Sequence, residues 1–348
     1  MPFRTVRTNK GFKQVYIPDP EEKYIEQCKE KASIDAAHEH IAEVPPKLSD
    51  KEFYNAMREL SPANLHGFIS YDPSMEKPNF IPEKEFTDSM SESVEDKIVH
   101  IYLASHKDYV FPDIDIYKPL QVGAALHEDL HFPYRDDTGD NISEKNPYYC
   151  EMTAYYWVWK NSTADIVGVG HYRRVPANPA EELYSKEEVI DILSHNDYMT
   201  TGCVEWRESE VNYYKLDKDE DTDIPGYGVY NQYRRCHNGV DMDLAWLAIK
   251  RLYPEYEEDF VNQIVFGRLF VPCNILIAPK PIFDGFCKWI FDILFFVEKY
   301  SPYKLYDDYN QRVFGFLAER LLALYFFHNK LKCQNCAVID LNKEEEDE

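Results

Sequence analysis

The chain has 348 residues, 44% of them hydrophobic and 29% charged, with a formal net charge of −24. This is the balance of an ordinary globular protein with enough length for one substantial core or two modest ones. The excess of acid excludes a nucleic-acid backbone as the main partner, because phosphate binding needs basic patches that release counterions.

The basic residues Arg4, Arg7, Lys10 and Lys13 precede any acidic one and read as a frayed terminus or as a peripheral contact with an anionic membrane surface. Helices are expected over 21–41 and, with Ser49 as cap, over 49–60, on either side of Pro45-Pro46. Residues 61–95 are rich in Pro, Ser and acid, so 1–95 read as a helical and irregular extension.

From residue 96 the pattern is α/β. Residues 98–104 are a continuous apolar run suited to a buried parallel strand, with Ser105, His106 and Lys107 just past its end. Residues 117–126 are expected to be helical, and 135–146 a loop. Asn146 and Pro147 give a start signal for a helix over 148–160, with Asn146 as cap. A second buried strand covers 165–170, where Gly168 and Gly170 allow a ligand or another backbone to come close, and it delivers His171, Tyr172, Arg173 and Arg174 to its end. A helix over 185–194 and a strand over 197–202 follow, then an acidic insertion around 217–223. Helices are expected over 227–236, 241–253 and 255–266, a strand over 269–278, and further helices over 281–299 and 309–329. Asp284, Lys288 and Asp292 draw a polar stripe along the helix at 281–299, which marks it as amphipathic and not membrane-spanning. Residues 96–332 form the expected main domain, a mixed, mostly parallel sheet covered by helices, and 333–348 an acidic tail.

Eight cysteines at irregular spacings, with no secretory signal, fit a reducing cytoplasm. Cys333 and Cys336 have half the spacing of a zinc site and no second pair nearby.

Two polar strings stand out. Arg173 and Arg174 beyond a strand suit a diphosphate, since guanidinium forks match phosphate oxygens, and His171 could donate to the same group; the alternative is that an arginine pairs with the acidic loop. In that loop Asp136, Asp137, Asp140 and Asn141 are oxygen ligands at close spacing, suited to a divalent cation beside a diphosphate or to a tight turn around Gly139. Arg312, Gly315 and Glu319 share one helix face, where they either form a structural ion pair or leave room beside Gly315 for something to approach. His237 and Asp241 open another helix, and Asp241 is either a cap or the carboxylate that deprotonates an acceptor hydroxyl.

The strings 135–161 and 166–174 resemble the signature of a bacterial family of capsular or exopolysaccharide biosynthesis proteins, long catalogued as a domain of unknown function and now placed among glycosyltransferases. Agreement continues at 105–107, 121–124, 237–241, 274–277, 289–295 and 312–321, so the resemblance covers about 97–330. Val175, and Pro272-Cys273 before Asn274, depart from the family pattern. The resemblance implies a GT-A-like, cytoplasmic or membrane-peripheral enzyme that transfers sugar from a nucleotide-sugar donor, UDP-sugars first, to a glycan or lipid-linked glycan. The donor would lie at the strand ends. His106, Lys107, His171, Arg173, Arg174 and Arg312 would hold it, and Asp136, Asp137, Asp140, Asn141, His237 and Asn274 would form the substrate surroundings. Asp241 is the first choice of base and Glu319 the second. Mn²⁺ or Mg²⁺ on Asp137 and Asp140, or metal-independent transfer, are both open.

Overall fold

The computed structural model describes residues 3–16, 97–205 and 228–341. The expected helices over 21–41 and 49–60 and the acidic run at 217–223 lie outside the described residues. Strands β1 (Phe3–Thr8) and β2 (Gly11–Tyr16) pair as an antiparallel hairpin, so the basic start is paired strand, not a frayed end. Val6 is fully buried in the larger apolar cluster, and the side-chain amide of Asn9 donates to Asp308 at 2.9 Å.

The main sheet uses β3 (Val99–Ser105), β4 (Tyr117–Gln121), β5 (Tyr134–Arg135), β6 (Ile166–His171), β7 (Val175–Ala177) and β8 (Tyr198–Thr201). A short separate pair is made by β9 (Val204–Glu205) and β10 (Leu269–Phe270). β11 (Leu276–Pro279) and β12 (Cys333–Ile339) complete the large sheet, in the order β5-β4-β3-β6-β11-β8-β12-β7. β5, β4, β3 and β6 are mutually parallel, as are β8 and β12, while β11 runs against both its neighbours and β7 against β12. This is the mixed, mostly parallel sheet expected from the sequence.

The period-2 alternation of buried strands divides the core. Tyr102, Ala104, Val167, Val169, Leu276 and Ala278 feed the larger cluster, whereas Val99, Ile101, Leu103, Ile166, Ile275 and Ile277 feed the smaller one on the other face. The larger cluster is covered by α1 (Asn146–Tyr149), α2 (Met152–Asn161), α4 (Val229–Cys236), α5 (Gly239–Leu252), α6 (Glu257–Phe260), α7 (Lys280–Tyr300) and α8 (Val313–His328). The smaller is covered by α3 (Lys186–His195), which begins with a Ser185–Glu188 capping box. On α7, Lys288–Asp292 at 2.8 Å realises an expected i,i+4 pair, Asp284 pairs back to Lys280 at 2.6 Å, and no described helix is long and apolar enough to cross a membrane.

Several expected elements differ. Residues 117–126 are β4 followed by a short 3-10 turn at Ala124–Leu126, not a helix. The helix expected over 148–160 is two helices, interrupted at Cys150, and Asn146 lies inside α1 instead of capping it. Residues 261–266 continue α6 as a π-helix, and the strand expected over 269–278 is divided by a 3-10 turn at Pro272–Asn274. Residues 333–339, read as the start of a tail, are an interior strand of the sheet. Gly168 and Gly170 admit neighbouring strands and not a ligand: a Cβ there would meet Ile277 Cγ1 and Pro176 Cδ, each at 2.7 Å.

Candidate functional site

The C-terminal ends of β3, β4 and β6 share one edge of the sheet, where open α/β folds place ligands. After β3, the buried Ser105 hydroxyl donates to the Lys107 carbonyl at 2.7 Å and accepts the Lys107 N–H at 3.1 Å, which fixes a tight turn and leaves His106 and Lys107 exposed. After β6, reciprocal backbone bonds between His171 and Arg174 close a two-residue turn. Its anchor is Tyr172, only 4% exposed, whose ring meets His106 edge-on at 5.7 Å. Arg173 and Arg174 are exposed, and neither pairs with the acidic loop; Arg173 lies 5.2 Å from the centre of the Tyr172 ring. Desolvation of the His106 ring, then the nearby charges of Lys107, His127, His171 and Arg173, depress its proton affinity, so it is a neutral donor or acceptor among cations.

Beside this turn lie two carboxylates. Glu151, at the break between α1 and α2, has one oxygen 3.9 Å from His171 Nε2 and accepts the Asn274 amide at 2.6 Å on the other. Burial pushes its carboxyl up, but the His171 imidazole and the Asn274 amide outweigh that and hold it below the usual range. Glu319 accepts the Cys273 N–H at 2.7 Å and pairs with Arg320 at 2.6 Å. Burial raises its carboxyl; Arg320 opposes this, the charge of Glu151 adds to it, and the net shift is upward. The two carboxylates therefore differ in proton affinity, as an acid/base pair would.

The backbone here is strained. Cys150, Cys273 and Asn274 have φ of 51°, 74° and 45°, conformations that cost L-residues about 1–3 kcal/mol each and that collect at functional sites. Around them the Asn274 amide meets Glu151, and the Cys273 N–H meets Glu319. Asn274 is 1% exposed, and its Nδ2 also donates to the Gly315 carbonyl at 3.1 Å. Among the described residues its Oδ1 and the His171 Nδ1 are buried without hydrogen-bond partners. Arg312 Nε donates to Cys150 Sγ at 3.2 Å. Gly315 leaves no vacant space, since a Cβ there would lie 3.3 Å from the Cys150 Cβ.

The structure does not bring the acidic loop or Asp241 here. Asp136 is fully buried and accepts the N–H groups of Gly123 at 2.9 Å and Ala124 at 3.0 Å and the Ser143 hydroxyl at 2.5 Å. Asp137 is engaged bidentately by Arg135, Asp140 accepts Tyr156 at 3.1 Å, and Asn141 accepts the Ser143 N–H at 3.2 Å. The loop's carboxylates are thus held by protein donors, and no group of three or more His, Cys, Asp or Glu among the described residues could hold a metal, at this loop or at Cys333 and Cys336. The donor set does not fit Mn²⁺ or Mg²⁺ on Asp137 and Asp140. Asp241 is fully buried, where it accepts from Ser301 at 2.5 Å and Tyr306 at 3.0 Å, and burial pushes its carboxyl up to about 7. His237 Nδ1 lies 3.2 Å from Asn310 Oδ1, and its ring stacks on Phe316 at 4.1 Å. Glu151 escaped the residue-by-residue reading, although it is the one charge between Asn146 and Trp159 and so a visible anomaly in an apolar helix.

The sequence profile of a family described as a domain of unknown function, DUF4422, matches residues 100–330. Among solved structures the chain is similar to the apo structure of WbbM, a bifunctional glycosyltransferase, at 28% identity and a TM-score of 0.61, over 71% of this chain. The match spans 46% of that chain, so this protein corresponds to less than half of its structural relative. No curated protein matches. The chain belongs to the DUF4422 family and carries that domain on a glycosyltransferase-like fold.

Proposed function

We propose that this chain is a glycosyltransferase that moves a sugar from a nucleotide-sugar donor, UDP-sugars first, to a hydroxyl of a growing or lipid-linked glycan in cell-surface polysaccharide synthesis. The work would take place in the cytoplasm or peripherally at the inner membrane face. The observation that carries the reading is the exposed Arg173–Arg174 turn, at a strand end, beside the partly buried and unequal carboxylates Glu151 and Glu319. Similarity to a bifunctional glycosyltransferase supports it.

In this reading His106, Lys107, Arg173 and Arg174 bind the diphosphate, with His171 and Arg312 alongside. Transfer forms a bond from the acceptor oxygen to the anomeric carbon and breaks that carbon's bond to the diphosphate, which leaves with the electron pair. The arginines neutralise the developing charge. A carboxylate takes the acceptor proton, and Glu319, whose proton affinity burial raises, is favoured over the sealed Asp241. Thermal-shift measurements with UDP-, GDP- and CMP-sugars, followed by product analysis with and without acceptor, test this. A UDP-sugar should raise the melting temperature and be consumed in an acceptor-dependent way. No stabilisation by any nucleotide sugar would refute the reading.

A further inference from the structure

Resting on the transferase reading, the question is where the acceptor sits, and one surface of α8 is built unlike the donor side. Tyr309 is 54% exposed, a large ring left in water. It lies 5.1 Å from Phe316 and 5.9 Å from His237, nearly parallel to the latter at 23°. His237 in turn stacks on Phe316 at 20°, and the Asn310 side chain beside Nδ1 fixes its orientation. Arg312 places its guanidinium 5.4 Å from the Phe316 ring centre. The three rings pack as one cluster, with Tyr309 before α8 as its exposed member, Phe316 on α8 half-buried and His237, between α4 and α5, buried behind them.

Its position gives the cluster a use. Arg312, Phe316 and Glu319 follow at i, i+4 and i+7, so they rise along one face of α8 with the rings one turn below the carboxylate. The cations of the β6–β7 turn come to the carboxylates from the sheet edge, whereas the rings come from the start of α8. An exposed phenol ring backed by other rings suits an amphipathic ligand, while the Arg312 guanidinium beside them is engaged by Cys150 Sγ and the Phe316 face. A sugar ring is such a ligand: its axial C–H face packs on an aromatic ring while its hydroxyls reach outward.

We propose that Tyr309, backed by Phe316 and His237, is the platform of the acceptor subsite and stacks a hexopyranose residue of the acceptor glycan, so that its free hydroxyl faces Glu319. Saturation-transfer NMR with methyl β-glucopyranoside and methyl β-galactopyranoside tests this on the full chain. At least one glycoside should show strong transfer to its ring protons, reduced at least fivefold by Tyr309→Ala and kept by Tyr309→Trp. Tyr309→Trp keeps the ring contacts with His237 and Phe316 and should unfold at the temperature of the parent, and Tyr309→Ala is measured at a temperature where it is folded. Equal transfer in parent and Tyr309→Ala, or none from either glycoside, would overturn the assignment. UDP-induced thermal stabilisation of the same samples reports on the donor site alone, which keeps failure of the transferase reading distinct from failure of the ring platform.

Discussion

Replacing Asp136 by Ala asks whether the acidic loop is scaffold or ligand. The carboxylate is wholly inside the protein and receives two backbone N–H groups and one hydroxyl, all at 3.0 Å or less. Hydrogen bonds to a charged acceptor contribute about 1.5–3 kcal/mol each, and a donor left unmet in the interior adds its own desolvation cost. Water entering the vacated space recovers part of this, so a net loss of about 4 kcal/mol is expected. For a domain of this size each kcal/mol lowers Tm by roughly 2–4 °C, which puts the shift at roughly 8–16 °C. Ser143→Ala, which removes one donor and leaves two, should cost about 1 kcal/mol. Calorimetric unfolding and urea titration measure both variants, and UDP-induced stabilisation at a temperature where each is folded measures ligand binding. A fall in Tm below about 2 °C, together with lost UDP stabilisation, would show that Asp136 serves a ligand and that the hydrogen-bond reasoning is wrong.

Three other outcomes are expected. Asp241→Asn should retain turnover, because the side chain is sealed from solvent, and should flatten the pH dependence of stability. With the carboxyl raised to about 7, the unfolded chain releases this proton from about pH 4 upward while the folded one keeps it, so stability falls by roughly 4 kcal/mol between about pH 4 and 7. Equal slopes in parent and variant, in urea unfolding across that range, would contradict this. Arg173→Ala and Arg174→Ala should each weaken UDP binding roughly 10- to 100-fold by calorimetric titration without lowering Tm, since both side chains are exposed. Gly315→Val should cost about 2 kcal/mol or more, because its Cβ alone would already crowd Cys150 at 3.3 Å, and unfolding at the parent's temperature would count against that packing.

Much of the fold can be read directly from the sequence. β3 and β6 announce themselves because strands buried on both faces must be continuously apolar, and α7 because its ion pairs recur every four residues. β4 did not, for Tyr117 and Leu120, with Ala124 just beyond the strand, fall at helical spacing and Pro119 weakens a strand assignment. The proline is tolerated because β5 pairs only with Leu120 and Gln121, so one side of β4 is unladdered at that point. β12 was hidden by the acid that follows it. At the site, the exposed arginines at a strand end were legible, whereas Glu151 was not: its partners His171 and Asn274 are 20 and 123 positions away, and only the fold joins them. The Asp-rich loop misled for the opposite reason, since its spacing suits a cation but its partners are protein N–H and hydroxyl groups.

The interior place of β12 bears on how the chain reaches its fold. β8 and β7 are adjacent to this strand and not to each other, so the far side of the sheet has no continuous ladder until residues 333–339 insert between them. During synthesis β7 and β8 leave the ribosome long before β12, and until it follows, β7 and the free side of β8 present open edges. Unpaired edges of that kind are where nascent chains associate with the wrong partner. A polypeptide ended at residue 330, where the family match stops, would keep every candidate site residue and yet carry that exposed edge permanently. Its failure to stay in solution would say nothing about the chemistry of the site.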